Sequence, residues 1–98
     1  MCHGVTGLLN IRLSDDKYLI EGIPVTGYSI REEVFAGLKN HVPFQLEDEL
    51  KKRGANYKKA LLPFTPFVRF GERVITGQNP QSTKAVAKAV LEVLESLP

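Results

Sequence analysis

The clearest periodic signal lies near the end of the chain. Val86, Val90, Val93 and Leu94 recur at helical spacing with Ala85 and Ala89 beside them, which predicts an amphipathic helix capped by Ser82. Before it, residues 67–70 and 73–76 alternate around Gly71-Glu72, the pattern of a hairpin. Gly77-Gln78-Asn79-Pro80 reads as a loop, and Pro63 and Pro66 bracket another. Residues 57–62 fit either a strand or an irregular segment.

The first half of the chain is patterned in shorter pieces. Residues 4–10 (GVTGLLN) are apolar with two glycines, suited to the first turns of a helix packed closely on a sheet. Ser14-Asp15-Asp16 predicts a turn, and residues 18–21 and 23–26 predict two short strands broken at Gly22. Ser29-Ile30-Arg31-Glu32 has the form of a capping box and opens a short helix over about 30–38. Pro43 suits a first helical position, and a second helix runs to about Arg53 with its acids first and its bases last. Gly54 provides its stop. Strands mixed with helices give an α/β or α+β class.

Composition narrows the function. At 98 residues the chain holds one domain at most, and its apolar and charged fractions of 43% and 24% are those of a folded protein. The net charge is +2, and the densest basic cluster, Lys51-Lys52-Arg53, follows Glu47-Asp48-Glu49, so no nucleic-acid footprint is expected. No apolar run approaches the length of a membrane span, and no secretory signal is expected. A single cysteine cannot close an internal disulfide, which fits a reducing cytoplasm.

That cysteine carries the candidate chemistry. Cys2 adjoins His3 and Gly4, and an imidazole or a constrained turn can activate a thiol. Adjacent side chains seldom face each other, however, so pattern alone favours an unactivated thiol at the terminus. Glu32 and Glu33 offer an acid to orient an imidazole, but the same acids suit the first turn of a helix as a solvated face. On residues alone that solvated reading is preferred, most strongly for Glu32 because of the capping box. Residues 76–80 (TGQNP) join a strand to a helix and lack the glycine and lysine pattern of a phosphate loop. His41 has no partner at ligand spacing and reads as a surface residue. No Cys/His metal set is present.

Taken in order, Cys2-His3-Gly4, GLLN, SDDKYLIEG, VTGY with Glu32-Glu33, VPFQLEDELKKRGANY, VITGQNPQS and the final helix resemble the ThiJ/PfpI superfamily of class I glutamine amidotransferase-like proteins. The branch most similar is the heat-shock chaperone and glyoxalase III group, and the resemblance spans residues 2–98. It implies an α/β fold, the C-terminal half of a flavodoxin-like three-layer sandwich, with the cysteine on a strand-to-helix nucleophile elbow. Carried across by position, it implies Cys2 as nucleophile, His3 as its imidazole and Glu33, rather than Glu32, as the acid. The implied reaction converts methylglyoxal to lactate without glutathione, metal or organic cofactor. Protein deglycation, peptidase or amidase action and holdase chaperoning are further activities of the group.

The resemblance also implies an absence. Relatives are about twice as long, and their first half supplies most of the parallel sheet, the strand entering the elbow and a glutamate beside the cysteine. The 98 residues are therefore expected to form a single partial domain beginning at the elbow, to expose apolar surface, and to pair with an N-terminal half chain or with copies of themselves. An isolated chain is expected to be a weak catalyst. A non-enzymatic chaperone or interaction module is the alternative of a different class.

Overall fold

The structure, a computed structural model, describes residues 1–98. A 3₁₀ helix over Cys2–Leu8 is followed by strand β1 (Pro24–Val25), helices α1 (Ile30–Phe35) and α2 (Leu46–Lys52), and strand β2 (Asn56–Tyr57). The hairpin strands β3 (Val68–Gly71) and β4 (Val74–Gly77), a 3₁₀ turn at Pro80–Ser82 and helix α3 (Thr83–Ser96) complete the chain. β1 and β2 pair in parallel, whereas β3 and β4 pair antiparallel with Val68 opposite Gly77 and Gly71 opposite Val74. The two small sheets meet where the Thr26 amide donates to Thr76 Oγ1 at 2.8 Å.

The hairpin and the final helix both form, the hairpin one residue later than the pattern places it: Gly71 pairs with Val74, so the turn is Glu72-Arg73 rather than Gly71-Glu72. Ser14-Asp15-Asp16 is a turn. Other elements differ. Residues 18–21 are not a strand: Tyr18 makes only an isolated bridge to Arg12, and the chain then turns so that Gly22, at φ +74°, can donate to the Gly54 carbonyl. α1 stops at Phe35 because Gly37, also at φ +74°, reverses the chain. Pro43 lies ahead of α2, whose cap is Gln45, so it does not occupy a first helical position. Ser82 precedes α3 but makes no side-chain cap. Its hydroxyl turns inward, 2.6 Å from Asn79 Oδ1, and accepts the Phe67 amide at 2.9 Å.

The apolar core is a single cluster: Val5 of the first 3₁₀ helix with Leu9 just after it, Val25 of β1, Leu46 and Leu50 of α2, and Ile20 and Tyr28 from the connecting segments. Beside it lies a larger set of buried polar side chains: Thr26, Ser29, Glu32, Glu33, Glu47, Thr76, Gln78, Asn79 and Ser82. An interior this polar is stable only when its groups pair with one another, and here the pairing converges on the acids of α1 and α2.

Helix α3 contributes no fully buried residue. It touches the hairpin through Val86, so close to Gly77 that a Cβ there would lie 2.5 Å from Val86 Cγ2. The far side of its predicted stripe, Val90 and Leu94, is exposed, as are Leu91 and Leu97. The smallest dimension of the molecule is 19 Å against a longest one of 45 Å, enough for about two layers of secondary structure at a spacing of roughly 10 Å.

Candidate active site

Cys2 stands at the mouth of the first 3₁₀ helix with φ +58°, a left-handed backbone for a residue with a Cβ. Such a conformation costs on the order of 1 kcal/mol. The turn is held by the Gly4 amide donating to the Met1 carbonyl at 2.9 Å, and the Tyr28 amide lies 3.5 Å from the Cys2 carbonyl. The strained residue is thus tied both to its own helix and to the segment after β1.

His3 faces two ways. Its Nδ1 lies 4.0 Å from Cys2 Sγ, and its Nε2 lies 2.9 Å from Glu33 Oε1. The imidazole is 42% exposed while the Glu33 side chain is 1% exposed. Glu33 Oε2 is buried with no hydrogen-bond partner, so His3 has the carboxylate to itself. The structure therefore brings Cys2, His3 and Glu33 together in the order thiol, imidazole, acid, an arrangement able to take a proton from the thiol and to fix the imidazole tautomer. Burial pushes the Cys2 thiol above its ordinary 9.0, partly offset by the His3 amide and reinforced by Glu32 and Glu33.

Glu32 and Glu33 are both buried, not a solvated helical face. The capping box is present, with Ser29 Oγ accepting the Glu32 amide while Glu32 Oε1 accepts the Ser29 amide at 3.0 Å. The Glu32 carboxylate does more than cap. Gln78 Nε2 donates to Oε1 at 2.8 Å, and Asn79 Nδ2 and the Phe64 amide donate to Oε2 at 2.8 and 2.9 Å. Burial would raise its pKa, but these bonds outweigh burial and hold Glu32 below the ordinary 4.5. Gln78-Asn79 is thereby an internal anchor rather than a solvent-facing loop, a role that spacing along the chain gives no way to see.

Glu47 is the counterpart on α2. It accepts the Ile30 amide at 3.1 Å and pairs with Lys51 and Lys59 at 2.8 and 3.1 Å, so α2 holds the first turn of the helix that carries Glu33. Its carboxyl also lies below the ordinary range because those bonds outweigh burial. Tyr57 donates to the Gly27 carbonyl at 3.0 Å and is driven upward by burial and then by Glu47. His41 is exposed. No three metal-ligating side chains gather at one point, and no helix is long and apolar enough to cross a membrane.

No protein-family model matches the chain. It is 34% identical over 101 aligned positions to a Schizosaccharomyces pombe protein named "Probable glutathione-independent glyoxalase", covering 96% of this chain and 39% of that protein. It is also 34% identical to the bovine glutamine amidotransferase-like class 1 domain-containing protein 1, covering 91% of this chain and 40% of the relative. Among solved structures, Rapid Encystment Protein 24 kDa of Francisella tularensis superposes with a TM-score of 0.89 at 41% identity, over 93% of this chain and 40% of that one. Glyoxalase III of Candida albicans gives a TM-score of 0.85 at 27% identity, again over 93% and 40%. The chain thus spans about two-fifths of the length of the proteins it matches. The α/β arrangement described above is that of part of a flavodoxin-like sandwich, and in sequence and fold alike the chain resembles the C-terminal half of a ThiJ/PfpI, class I glutamine amidotransferase-like protein of the glyoxalase III branch.

Proposed function

We propose that this chain carries the catalytic elbow of a glutathione-independent glyoxalase that converts methylglyoxal to lactate, with Cys2 as nucleophile, His3 as its proton acceptor and Glu33 as the acid that orients His3. The observation that carries the reading is the Cys2–His3–Glu33 relay on a left-handed Cys2 backbone. Similarity to glyoxalases in sequence and fold supports it.

In this scheme His3 takes the Cys2 proton, the thiolate sulfur bonds to the aldehyde carbon of methylglyoxal as the C=O π bond opens, and His3 returns the proton to that oxygen, giving a hemithioacetal and a neutral imidazole. His3 then moves the proton from that carbon to its neighbour through an enediol, giving a lactoyl thioester. Attack by water breaks the C–S bond, releasing lactate and returning the thiol. The sum is methylglyoxal plus water to lactate, with no net oxidation and no cofactor drawn on. Protein deglycation would use the same adduct on a carbonyl already attached to an amine.

The domain is completed by an N-terminal half chain or by further copies of this one. Exposed Leu91 and Leu94 on α3, Leu97 just after it and Phe70 on β3 support this, since apolar surface of this kind is normally covered. The reducing cytoplasm suits a protein whose sole cysteine must stay a thiol.

The test is substrate choice in the completed protein, with the N-terminal part of a glyoxalase III relative placed ahead of Met1. Lactate should appear from methylglyoxal without added glutathione. Faster turnover of amide or peptide substrates would replace this reading with an amidase. Suppression of client aggregation without lactate formation would replace it with a chaperone.

A further inference from the structure

Tyr28 sits one residue before the cap of α1 and is only 5% exposed. Its ring lies against the His3 imidazole, with centroids 4.2 Å apart and planes at 33°. The same ring meets the Phe64 ring edge-on, with centroids 6.2 Å apart. Phe64 is itself held in place: its backbone is left-handed at φ +59°, and its amide donates to Glu32 Oε2 at 2.9 Å. A continuous path of contact thus runs from the buried Glu32 carboxylate to Phe64, to Tyr28 and to the face of His3.

The imidazole needs such a support. It is 42% exposed, and Glu33 grips only one edge of it, at Nε2. One hydrogen bond leaves the ring free to swing about that edge and carry Nδ1 away from Sγ, already 4.0 Å distant. A flat aromatic surface against the ring face removes that freedom while leaving both nitrogens to their partners. An aromatic pair in such close contact favours one ring orientation several-fold beyond the effect of burial.

We infer that Tyr28 is a positioning residue: its ring, braced by Phe64 and through it by Glu32, holds His3 in line between Cys2 and Glu33. The role belongs to the ring and not to the hydroxyl. The inference rests on the dyad reading above, and it assigns adjacent glutamates different tasks, Glu33 gripping the imidazole edge and Glu32 bracing its face.

The chain's single cysteine makes the test clean, because alkylation by iodoacetamide reports Cys2 alone. The Cys2 environment also contains Glu32, Glu33 and the terminal ammonium, all retained in the variants used. Rate against pH is measured for wild type, His3→Ala, Tyr28→Phe and Tyr28→Leu. Tyr28→Leu should slow alkylation near neutral pH by about tenfold and reproduce the His3→Ala profile, because displacing a proton acceptor by about 1 Å can cost as much as ~100-fold. Tyr28→Phe should keep the wild-type profile. In the wild-type chain, proton NMR should show the His3 ring protons shifted upfield by the Tyr28 ring and in cross-relaxation with it, a readout that stands even if Tyr28→Leu does not fold. A Tyr28→Leu profile equal to wild type, a Tyr28→Phe profile equal to Tyr28→Leu, or absence of the ring-current shift would overturn the inference. If His3→Ala itself leaves the profile unchanged, the dyad reading fails, an outcome separate from failure of the Tyr28 role.

Discussion

His3 Nε2 and Glu33 Oε1, thirty positions apart in the chain, lie 2.9 Å apart, one at the half-open mouth of the site and the other wholly enclosed. Glu32, next in sequence to Glu33, is held instead in a cage of five donor groups. Two adjacent glutamates should therefore fail differently. Glu33→Gln should leave the fold intact, since its only side-chain partner is His3, and should lower Cys2-dependent turnover by on the order of 100-fold or more through loss of the oriented imidazole. Glu32→Ala should cost about 3–5 kcal/mol by stranding buried donors, a large share of the stability of a chain this size. Urea unfolding and turnover measured side by side on both variants check the pair. Equal losses of stability would contradict it.

Acid should destabilise the fold through Glu32 and its counterpart on α2, Glu47. Glu32 and Glu47 both hold their protons less readily when folded than the ordinary 4.5. Above that value both are ionised in either state and their bonds contribute in full. As pH falls below it the unfolded chain takes up protons first, and the contribution is lost as pH passes through the lowered folded values. Melting temperature should be flat from neutral pH to about 5 and then fall steeply. Removal of one acid by Glu47→Gln should make the fall shallower, and an unchanged slope would exclude Glu47 as a source.

The thiol should titrate high. Burial raises Cys2 above 9.0, so alkylation of the native chain should have its midpoint above that value, whereas the urea-unfolded chain should titrate lower. A native midpoint below the unfolded one would mean that the environment activates the thiol directly.

Close packing between β4 and α3 makes Gly77 a further point of test. A Cβ at this position would lie 2.5 Å from Val86 Cγ2 and 2.9 Å from Met1 Cγ. Valine is stiff at χ1, so the helix or the N-terminus must move. Gly77→Ala should cost about 1–3 kcal/mol, and Val86→Ala in the same chain should recover part of it. Without that recovery, the contact is not what the alanine disturbs.

The parts of this fold legible in the sequence are those fixed locally. The α3 stripe, the β3–β4 hairpin and the Ser29–Glu32 capping box each depend on residues a few positions apart. What could not be read depends on distant partners. Residues 18–21 have strand composition, yet Gly22 and Gly54 bend the chain together there. Ser82 has the identity of a cap, but Asn79 and Phe67 claim its hydroxyl. The burial of Glu32 rests on Gln78 and Asn79, 46 and 47 positions away. The candidate triad became visible through family resemblance rather than from pattern, because nothing in Cys2-His3 alone says that Glu33 lies behind the imidazole. Tyr28 gave no signal at all: an aromatic after a strand is ordinary core until its stacking partner is known.

The central claim is that Cys2 forms the covalent intermediate of methylglyoxal conversion. Its most direct measurement is lactate formation from methylglyoxal, without glutathione, by the completed protein and by its Cys2→Ala variant at matched folding. Lactate from the wild type and none above background from Cys2→Ala is the predicted result. Equal lactate from both would contradict the claim.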